Sequence, residues 1–240
     1  MRAVNFSMAA GACFLLAGCA TDNPNSLAAN DPYEPMNRQV FELNRKADQA
    51  VIKPVAEAYV EVVPEEARNG VHNFIVNLRL PITFANDLLQ GEFERGGETV
   101  ARFGINSTVG VAGLFDVASG WGVSFHTEDF GQTLAVWGVD EGPYLVVPFY
   151  GPDPPRDLAG QVGDIFLDPF TYVNLREHIW WSAGEEMVRA VDLRSRNLQS
   201  LDDIERSSVD LYASVRSLYR QNRNNEIRNG KPDVENLPDL

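Results

Sequence analysis

Apolar residues recur at intervals of three to four positions through most of this 240-residue chain, and this period constrains the fold more than any other feature. Near the start of the body, Met36, Val40, Leu43, Ala47 and Val51 fall on one face of a helix. The two-residue alternation that is typical of a half-buried strand is nearly absent. The sequence therefore predicts a mainly α fold, and its length suits a single domain with a sizeable core.

Prolines and glycines divide this pattern into separate predicted helices. Pro54 breaks or kinks the first helix, which continues over 55–62, because proline lacks a backbone donor. Pro64 followed by Glu65 and Glu66 is typical of a helix start, since the helix dipole favours acids in the first turn. The remaining helices are predicted over 64–80, 82–90 (ending at Gly91), 98–107, 132–137, 158–166, 174–196 and 200–228.

The N-terminus, MRAVNFSMAAGACFLLAGCATDN, has the organisation of a secretory signal: one basic residue, an apolar run and a small-residue step. It is too short and too weakly flanked to span a bilayer, which takes roughly 20 apolar residues. Its end, Leu16-Ala17-Gly18-Cys19, matches the bacterial lipobox, in which the cysteine becomes the acylated first residue. We therefore predict a signal peptide over 1–18, lipidation of Cys19 and a polar, lipidated tether over 19–31.

Cysteine usage agrees with this interpretation. Cys13 leaves with the signal peptide and Cys19 carries lipid, so the mature body contains no cysteine. An exported domain without disulfides depends on burial or on the membrane for its stability. Aspartate after the lipidated cysteine would favour retention in the inner membrane. Because Ala20 stands there instead, we predict the periplasmic face of the outer membrane of a Gram-negative bacterium.

The mature chain is strongly acidic. Once Arg2 is removed with the signal, 19 basic residues face 34 acidic ones, a net charge of −15. Such a domain repels nucleic acid and gains nothing at an anionic lipid surface. Nucleic-acid binding is therefore excluded, and any membrane contact must be apolar or depend on the anchor. The helical domain is expected over 32–228, followed by a flexible tail over 229–240.

Two stretches depart from the helical period. Residues 109–125, VGVAGLFDVASGWGVSF, combine glycines with large apolar side chains, whereas exposed loops are normally polar. Residues 142–151, GPYLVVPFYG, form a stiff apolar decapeptide in which Pro143 and Pro148 remove two backbone donors. Both stretches are expected to be irregular backbone that lines an interior, because buried backbone must satisfy its polar groups.

The sequence contains no arrangement that argues for catalysis. His72, His126 and His178 stand far apart, and metalloprotease, nucleophile-elbow and phosphate-loop motifs are absent. We interpret 126–129 (HTED) as a solvated loop rather than a metal cluster, and 202–205 (DDIE) as a helix start rather than a carboxylate site. Trp180 and Trp181 suit an interfacial aromatic anchor and core packing equally well. We therefore expect no enzymatic activity, no cofactor and no metal.

Several blocks in fixed order resemble one family. Their set, behind a lipobox, is similar to the MlaA, or VacJ, outer-membrane lipoproteins, and the likeness covers roughly 31–180. Pro35-Met36 departs from the Gly-Phe of many relatives, which affects only the start of the first helix. The blocks are DPYEPMNR (31–38), RNGVHNFIVNLRLP (68–81), NDLLQGEF (86–93), RFGINSTVGVAGLFDVAS (102–119), EDFGQTLAVWGVDEGPYLVVPFYGP (128–152) and RD (156–157).

The resemblance implies a ring of helices around an amphipathic channel, lying in the inner leaflet of the outer membrane beside a trimeric porin. Such proteins remove phospholipids that have strayed into the outer leaflet and pass them to a soluble periplasmic carrier. The result is retrograde transport that maintains lipid asymmetry. Two alternatives stay open: a porin-associated structural lipoprotein that moves no lipid, and an envelope hydrolase, which the absent motifs disfavour.

The resemblance also implies site residues. The 109–130 segment resembles the family's hairpin loop beside the channel, which governs lipid access. Its glycines would let it move, so a bulky residue at Gly113 or Gly120 is expected to alter lipid flux without unfolding the domain. GPYLVVPFYG is hypothesised to pack extended inside the ring as a brace. The channel and loop candidates are Asn37, Phe41, Asn44, Gly110, Gly113, Phe115, Gly120, Gly122 and Phe130.

Overall fold

The computed structural model describes residues 20–172 and 175–231, and the side chains outside 173–182 within that span. Helices account for most of these residues, so the predicted mainly α class is confirmed. They are α1 Pro24–Ala28, α2 Glu34–Ala47, α3 Lys53–Val62, α4 Glu65–Gln90, α5 Phe93–Thr108, α6 Val117–Gly120, α7 Phe130–Val136, α8 Pro155–Leu167, α9 Leu175–Arg196, α10 Leu198–Ser207 and α11 Leu211–Ile227.

A short hairpin and two tighter or wider helical turns complete the described fold. Strands β1 Val146–Val147 and β2 Gly151–Pro152 pair antiparallel, with Val146 opposite Pro152. A 3₁₀ segment, Pro169–Tyr172, links α8 to α9, and a π-helical segment, Asp48–Ile52, joins α2 to α3. The hairpin lies within the apolar decapeptide and just beyond it.

The π-helical segment explains how the first long helix passes Pro54. The backbone N–H of Lys53 donates to the carbonyl of Asp48, five residues back, so the turn widens immediately before the proline. Pro54 then occupies the first turn of α3, where its missing N–H costs little. The predicted irregularity at this proline is therefore confirmed as a change of helical pitch.

The prediction of separate helices over 64–80 and 82–90 was wrong. α4 continues through Pro81 and ends at Gly91, whose φ of 79° is left-handed. Proline removes one intrahelical hydrogen bond, but Leu80 and Ile82 on either side are both buried. The packing of this helix against its neighbours thus outweighs the local cost of the proline.

The single helix predicted over 200–228 was also wrong, because α10 and α11 are separate. The Asp210 carboxylate caps α11 by accepting from the Ala213 backbone N–H at 3.1 Å. Val209, just before this cap, is fully exposed. The sequence carries this stop signal as an aspartate in a cap position, which the apolar period across it conceals.

Residues before 32 belong to the packed domain. Asn23 caps α1 by accepting from the Asn25 N–H at 3.0 Å, and Ser26 and Asp31 are buried. The tether predicted over 19–31 therefore ends earlier than expected. At the other terminus, Asn229 donates to Glu92 at 3.3 Å, so the start of the predicted 229–240 tail is also packed, whereas 232–240 lie outside the described residues.

The helices close a ring. α4 packs on α8, α8 contacts the 3₁₀ segment, and that segment contacts α9, which returns to α4. α7 packs on α8 and on α11, which adds a second layer on one side. A small aromatic core fills the space between α2, the hairpin and α11; it consists of Tyr144, Val146 and Tyr212, with Val40, Phe41 and Tyr219 around them.

Candidate functional site

The interior of the ring contains a cavity of about 390 Å³ whose wall is both apolar and charged. α4, α9, α11 and the segment before α7 supply its lining. Ile75, Val76, Leu80, Phe125 and Leu193 form the apolar part of the wall. The charged part includes Arg79, Arg189, Arg223, Asp129, Asp192 and Glu226.

Further cavities adjoin this one and extend it in both directions. Two cavities of about 230 Å³ each share Arg79 and Arg189 with the large cavity and reach Tyr150 on the β-hairpin. A smaller cavity of about 60 Å³ shares His72 and Phe125 with it and reaches the glycine-rich loop. The cavities therefore form an adjoining series with amphipathic walls, which we call the path, from the loop, through the ring, to the hairpin and α8.

Arg223 on α11 neutralises two carboxylates beside this path. Its guanidinium donates to Asp129 at 2.6 and 2.8 Å and to Asp157 at 2.8 Å. Burial opposes ionisation of Asp129, but hydrogen bonds and the charge of Arg223 outweigh it and lower the carboxyl pKa. Tyr219, one turn earlier on α11, donates to the same Asp157 at 2.7 Å. The ion pairs of Arg223 with Asp129 and Asp157 hold α11 against α7 and α8.

A second set of charges lines the loop side of the path. The His72 ring nitrogen lies 2.7 Å from an Asp192 oxygen, so this contact links α4 to α9. Burial opposes ionisation of Asp192, but contacts with His72 and Arg196 outweigh it and lower its pKa. The contact therefore presents a charged carboxylate at the wall of an otherwise partly apolar cavity.

The interpretation of 126–129 as a solvated loop was wrong. Glu128 is buried and accepts from Arg95 at 2.6 Å, and burial raises its pKa. His126 contacts the buried Asp87 at 2.9 Å. Sequence reasoning missed these partners because they lie on α4 and α5, more than 30 residues away. Among the residues with described side chains, no group of three potential ligands could hold a metal ion.

The glycine-rich loop is fixed to α5 by one buried arginine. Arg102 donates to both Asp116 oxygens at 2.8 Å and to the Val123 carbonyl at 2.6 Å. Burial opposes ionisation of Asp116, but hydrogen bonds from Ser119, Asn106 and Arg102 lower its pKa to about 2. Sequence reasoning did not identify Arg102, although an arginine within an apolar helical face is a usable signal.

The glycines of this loop are not alike. A Cβ on Gly110 would lie 2.2 Å from the Phe115 carbonyl oxygen, and one on Gly113 would lie 2.6 Å from the Asn77 Cβ. Gly113 also has a φ of +90°. Gly120 and Gly122 have open space around them, but Gly122 has a φ of +82°, which likewise favours glycine. The expectation that a bulky residue at Gly113 leaves the domain folded is therefore corrected; close packing and backbone conformation require glycine there.

The predicted asparagines of the first helix hold the decapeptide through hydrogen bonds. Asn37 is fully buried; its amide donates to the Tyr144 carbonyl at 2.9 Å and accepts from Val146 N–H at 3.0 Å. Asn44, two turns on, makes the same two-way contact with Val147 and Phe149. Two asparagines thus pair with the extended segment as a neighbouring strand would.

The remaining candidates lie apart from one another. Phe41 packs edge-on against Tyr212 with ring centroids 5.6 Å apart, and Phe130 does the same against Trp137 at 5.7 Å. Phe115 is 62% exposed. Phe125, which was not predicted, is the loop aromatic that borders two cavities. Cys19 lies outside the described residues, as do the side chains of Trp180 and Trp181.

Fold and site together define a class: mainly helical, single-domain rings with an amphipathic interior. The model of the MlaA lipoprotein family matches residues 29–226, and the chain belongs to this family. A solved chain, from a study of the structural basis for maintenance of bacterial outer membrane lipid asymmetry, matches with a TM-score of 0.75 and 35% identity. That match covers 82% of this chain and 98% of the solved one.

Two named relatives extend the match over nearly the whole chain. The intermembrane phospholipid transport system lipoprotein MlaA of Escherichia coli is 35% identical over 221 residues, which cover 90% of this chain and 85% of the relative. The protein of the same name from Haemophilus influenzae is 32% identical over 237 residues, covering 93% and 91%. The family resemblance noted from the sequence blocks is thereby confirmed.

Proposed function

We propose that this chain transports phospholipids between the membranes of a bacterial envelope and thereby maintains outer-membrane lipid asymmetry. In this role it takes phospholipids from the outer leaflet and passes them to a soluble periplasmic carrier. The observation that carries the proposal is the amphipathic path of adjoining cavities inside the ring. Membership of the MlaA lipoprotein family supports the same assignment.

Such a path lowers two barriers that hold a phospholipid in its leaflet. A charged headgroup crosses hydrocarbon only at a cost of many kcal/mol, because it loses its hydration. The chains leave for water only at a cost of about 0.8 kcal/mol per methylene. The charged side chains of the cavity can replace water around the headgroup, while Leu80, Phe125 and Leu193 contact apolar groups.

This task needs shape and mixed polarity rather than a nucleophile or a metal, so we infer transport rather than catalysis. A porin-associated structural role does not require charged groups around an internal cavity, and the observed cavities therefore favour transport over it. We retain a trimeric porin and a periplasmic carrier as proposed partners.

Membrane contact in this proposal combines an acyl anchor on Cys19 with exposed apolar side chains. None of the helices in the described part of the chain has the length and hydropathy needed to cross a bilayer. The glycine-rich loop nevertheless exposes several large apolar side chains: Val109, Val111, Leu114, Phe115 and Trp121. Side chains of this kind contact the acyl boundary of a leaflet without spanning it.

The test is the phospholipid content of the outer leaflet in cells that lack the protein, measured with an amine-reactive label that cannot cross the membrane. We expect phospholipid to accumulate there, and the wild-type chain to restore asymmetry. Cys19→Ala should fail to restore it, because the chain loses its anchor. Cys13→Ala is the matched control, since this cysteine leaves with the signal peptide.

Protein abundance in the envelope is measured alongside, so that loss of export is separated from loss of the anchor. An unchanged outer leaflet in the deletion strain would contradict the transport proposal and favour the structural role. Full restoration by Cys19→Ala would show that the anchor is dispensable.

A further inference from the structure

The two cavities of about 230 Å³ share one wall, which carries both positive and negative side chains. Five residues border both cavities, so each cavity is lined by two guanidinium groups and a buried carboxylate: Arg79, Tyr150, Gln161, Asp164 and Arg189. We call these five residues the shared wall. At about 230 Å³ each, the cavities are smaller than the roughly 300–1,000 Å³ that holds a drug-sized ligand. They suit a headgroup whose chains lie elsewhere.

The two arginines of the shared wall are weakly neutralised. Arg79 and Arg189 both contact one oxygen of Glu186, at 3.5 and 3.3 Å, and their side chains are about one-third exposed. Arg223 differs, because it contacts two carboxylates at 2.6–2.8 Å. Because their contacts with Glu186 are long, both guanidinium groups retain donors for the oxygens of a phosphodiester, even though further carboxylates such as Glu185 line the same cavity.

The two carboxylates near the shared wall accept hydrogen bonds from neutral groups. Asp153 is 3% exposed, and its described side-chain contact is with the neutral amide of Gln161. Asp164 accepts from the Asn86 amide and the Phe130 N–H, each at 3.0 Å. In the described ranges, no lysine or arginine forms an ion pair with either carboxylate. Burial raises the pKa of Asp153 to about 7 and of Asp164 to about 6.

We propose that the shared wall and Asp153 bind a zwitterionic headgroup, with its phosphodiester against Arg79 and Arg189 and its primary ammonium against Asp153 and Asp164. The assignment rests on the proposed transport function. A zwitterion offers an acceptor to the two guanidinium groups and a cation to the two carboxylates without adding net charge. An anionic headgroup leaves the two carboxylates without a counter-charge, and it brings further negative charge towards Asp129, Asp157 and Glu226, which border the same cavity.

The first test uses the full-length lipidated wild type in neutral detergent, loaded with a fluorescent phosphatidylethanolamine. Two chain-free headgroups compete for it: glycerophosphoethanolamine, which is zwitterionic, and glycerophosphoglycerol, which is anionic. We expect the zwitterion to displace the probe at about tenfold lower concentration, since one additional charge-assisted contact changes affinity by about that factor. The comparison isolates the headgroup from the acyl chains.

Substitutions then separate the two halves of the site. The double variant Arg79→Gln/Arg189→Gln should raise the concentration at which each headgroup displaces the probe about tenfold. Asp164→Asn and Asp153→Asn should raise it for the zwitterion alone and so remove the preference. Arg206→Gln and Asp203→Asn are matched controls, because this ion pair on α10 is more than 60% exposed and does not line either cavity.

The outcomes distinguish the headgroup site from the function on which it rests. Equal displacement by the two headgroups from a wild type that holds the probe contradicts the headgroup assignment and leaves transport standing. A wild type that holds no phospholipid probe contradicts both. If an aspartate variant does not fold, as thermal melting by circular dichroism would show, the ratio measured on the wild type decides by itself.

Discussion

Gly113 and Gly120 lie seven residues apart in the same apolar loop, but their surroundings differ. The space beside Gly113 is filled by Asn77, and its backbone is left-handed, whereas nothing lies within 4 Å of the position a Cβ would take on Gly120. Val111 and Ala112, just before Gly113, also have positive φ values. This part of the loop is therefore a tightly packed turn on α4, whereas a side chain at Gly120 would meet open space.

These two positions give a matched pair of substitutions. Gly113→Val should lower the free energy of unfolding by about 3 kcal/mol, because it adds a steric clash to an unfavourable backbone conformation. Gly120→Val should change it by no more than about 0.5 kcal/mol, as at other open surface positions. Urea denaturation followed by circular dichroism measures both. Equal effects would show that the loop adapts around Gly113 and that the packing described here is not required.

Single residues also mark the limit of sequence reasoning about the site. The lipobox pattern at Cys19 is local and can be identified from the sequence alone. Asn37 and Asn44, in contrast, look like ordinary polar positions on an amphipathic helix. Their partners lie more than 100 residues away in the decapeptide. The family resemblance placed both asparagines beside a channel, and their amides bind the backbone of the decapeptide. Only the tertiary structure reveals these contacts.

At the scale of elements, α11 connects distant parts of the chain through ion pairs. Its arginines at positions 216, 220 and 223 lie on one side of the helix and reach three different parts of the chain. Each forms an ion pair of 2.6–3.0 Å, and the partners are Asp31 before α2, Glu141 before the hairpin and Asp129 at the start of α7. The last described helix therefore joins the N-terminal segment to the far side of the ring.

Arg223→Gln tests how much the ion pairs of α11 stabilise the fold. The change leaves Asp129 and Asp157 without their shared counter-charge, so the free energy of unfolding at pH 7 should fall by about 3 kcal/mol. Because Arg223 lowers the pKa of Asp129 in the folded state, this contribution is present above the ordinary carboxyl pKa near 4 and is lost as the pH falls through the lowered value. Denaturant melts at pH 7 and at pH 3 should therefore show a shrinking difference.

Arg206→Gln is the control for this experiment, since the pair of Arg206 with Asp203 is exposed, and it should cost no more than about 0.5 kcal/mol. A difference for Arg223→Gln that stays constant with pH would attribute the effect to lost packing of the side chain instead of lost charge pairing.

Helix positions were predictable because periodicity is a local property, but two boundaries were not. Pro81 predicts a break on local grounds, and packing on both sides of it keeps α4 continuous. Asp210 starts a new helix inside a stretch whose apolar period looks uninterrupted. Both errors arise where an interaction outside the sequence window, or one cap residue within it, outweighs the average pattern.

For the whole molecule, the main feature is the contrast between its interior and its surface. The charges that line the path come from α4, α9 and α11 and from the segments around them, and no sequence window contains more than a few of them. Charge composition argues against nucleic acid as a partner on electrostatic grounds, but it does not predict that acids and arginines meet inside a ring. Large apolar side chains are exposed instead, including Phe115 at 62% and Trp121 at 63%.

The exposed apolar side chains predict how the chain binds a membrane in the absence of a lipid anchor. A chain that begins at Ala20 should still bind vesicles of zwitterionic lipid, and raising the salt concentration should not release it, because apolar contacts are not screened. Anionic lipid should weaken binding at low salt, since residues 20–240 carry a net charge of −15. Flotation of vesicles with the bound protein measures both effects.

The double variant Phe115→Gln/Trp121→Gln should lower the partition coefficient onto vesicles about thirtyfold, because each aromatic contributes on the order of 1 kcal/mol when partly buried in lipid and the two contributions add. Val209→Gln, which changes an exposed apolar residue between α10 and α11, should leave partitioning unchanged. Release of the wild type by salt would mean that charge, not the apolar loop, holds the chain at the bilayer. An equal loss in the two variants would mean that exposure in general, rather than this loop, determines binding.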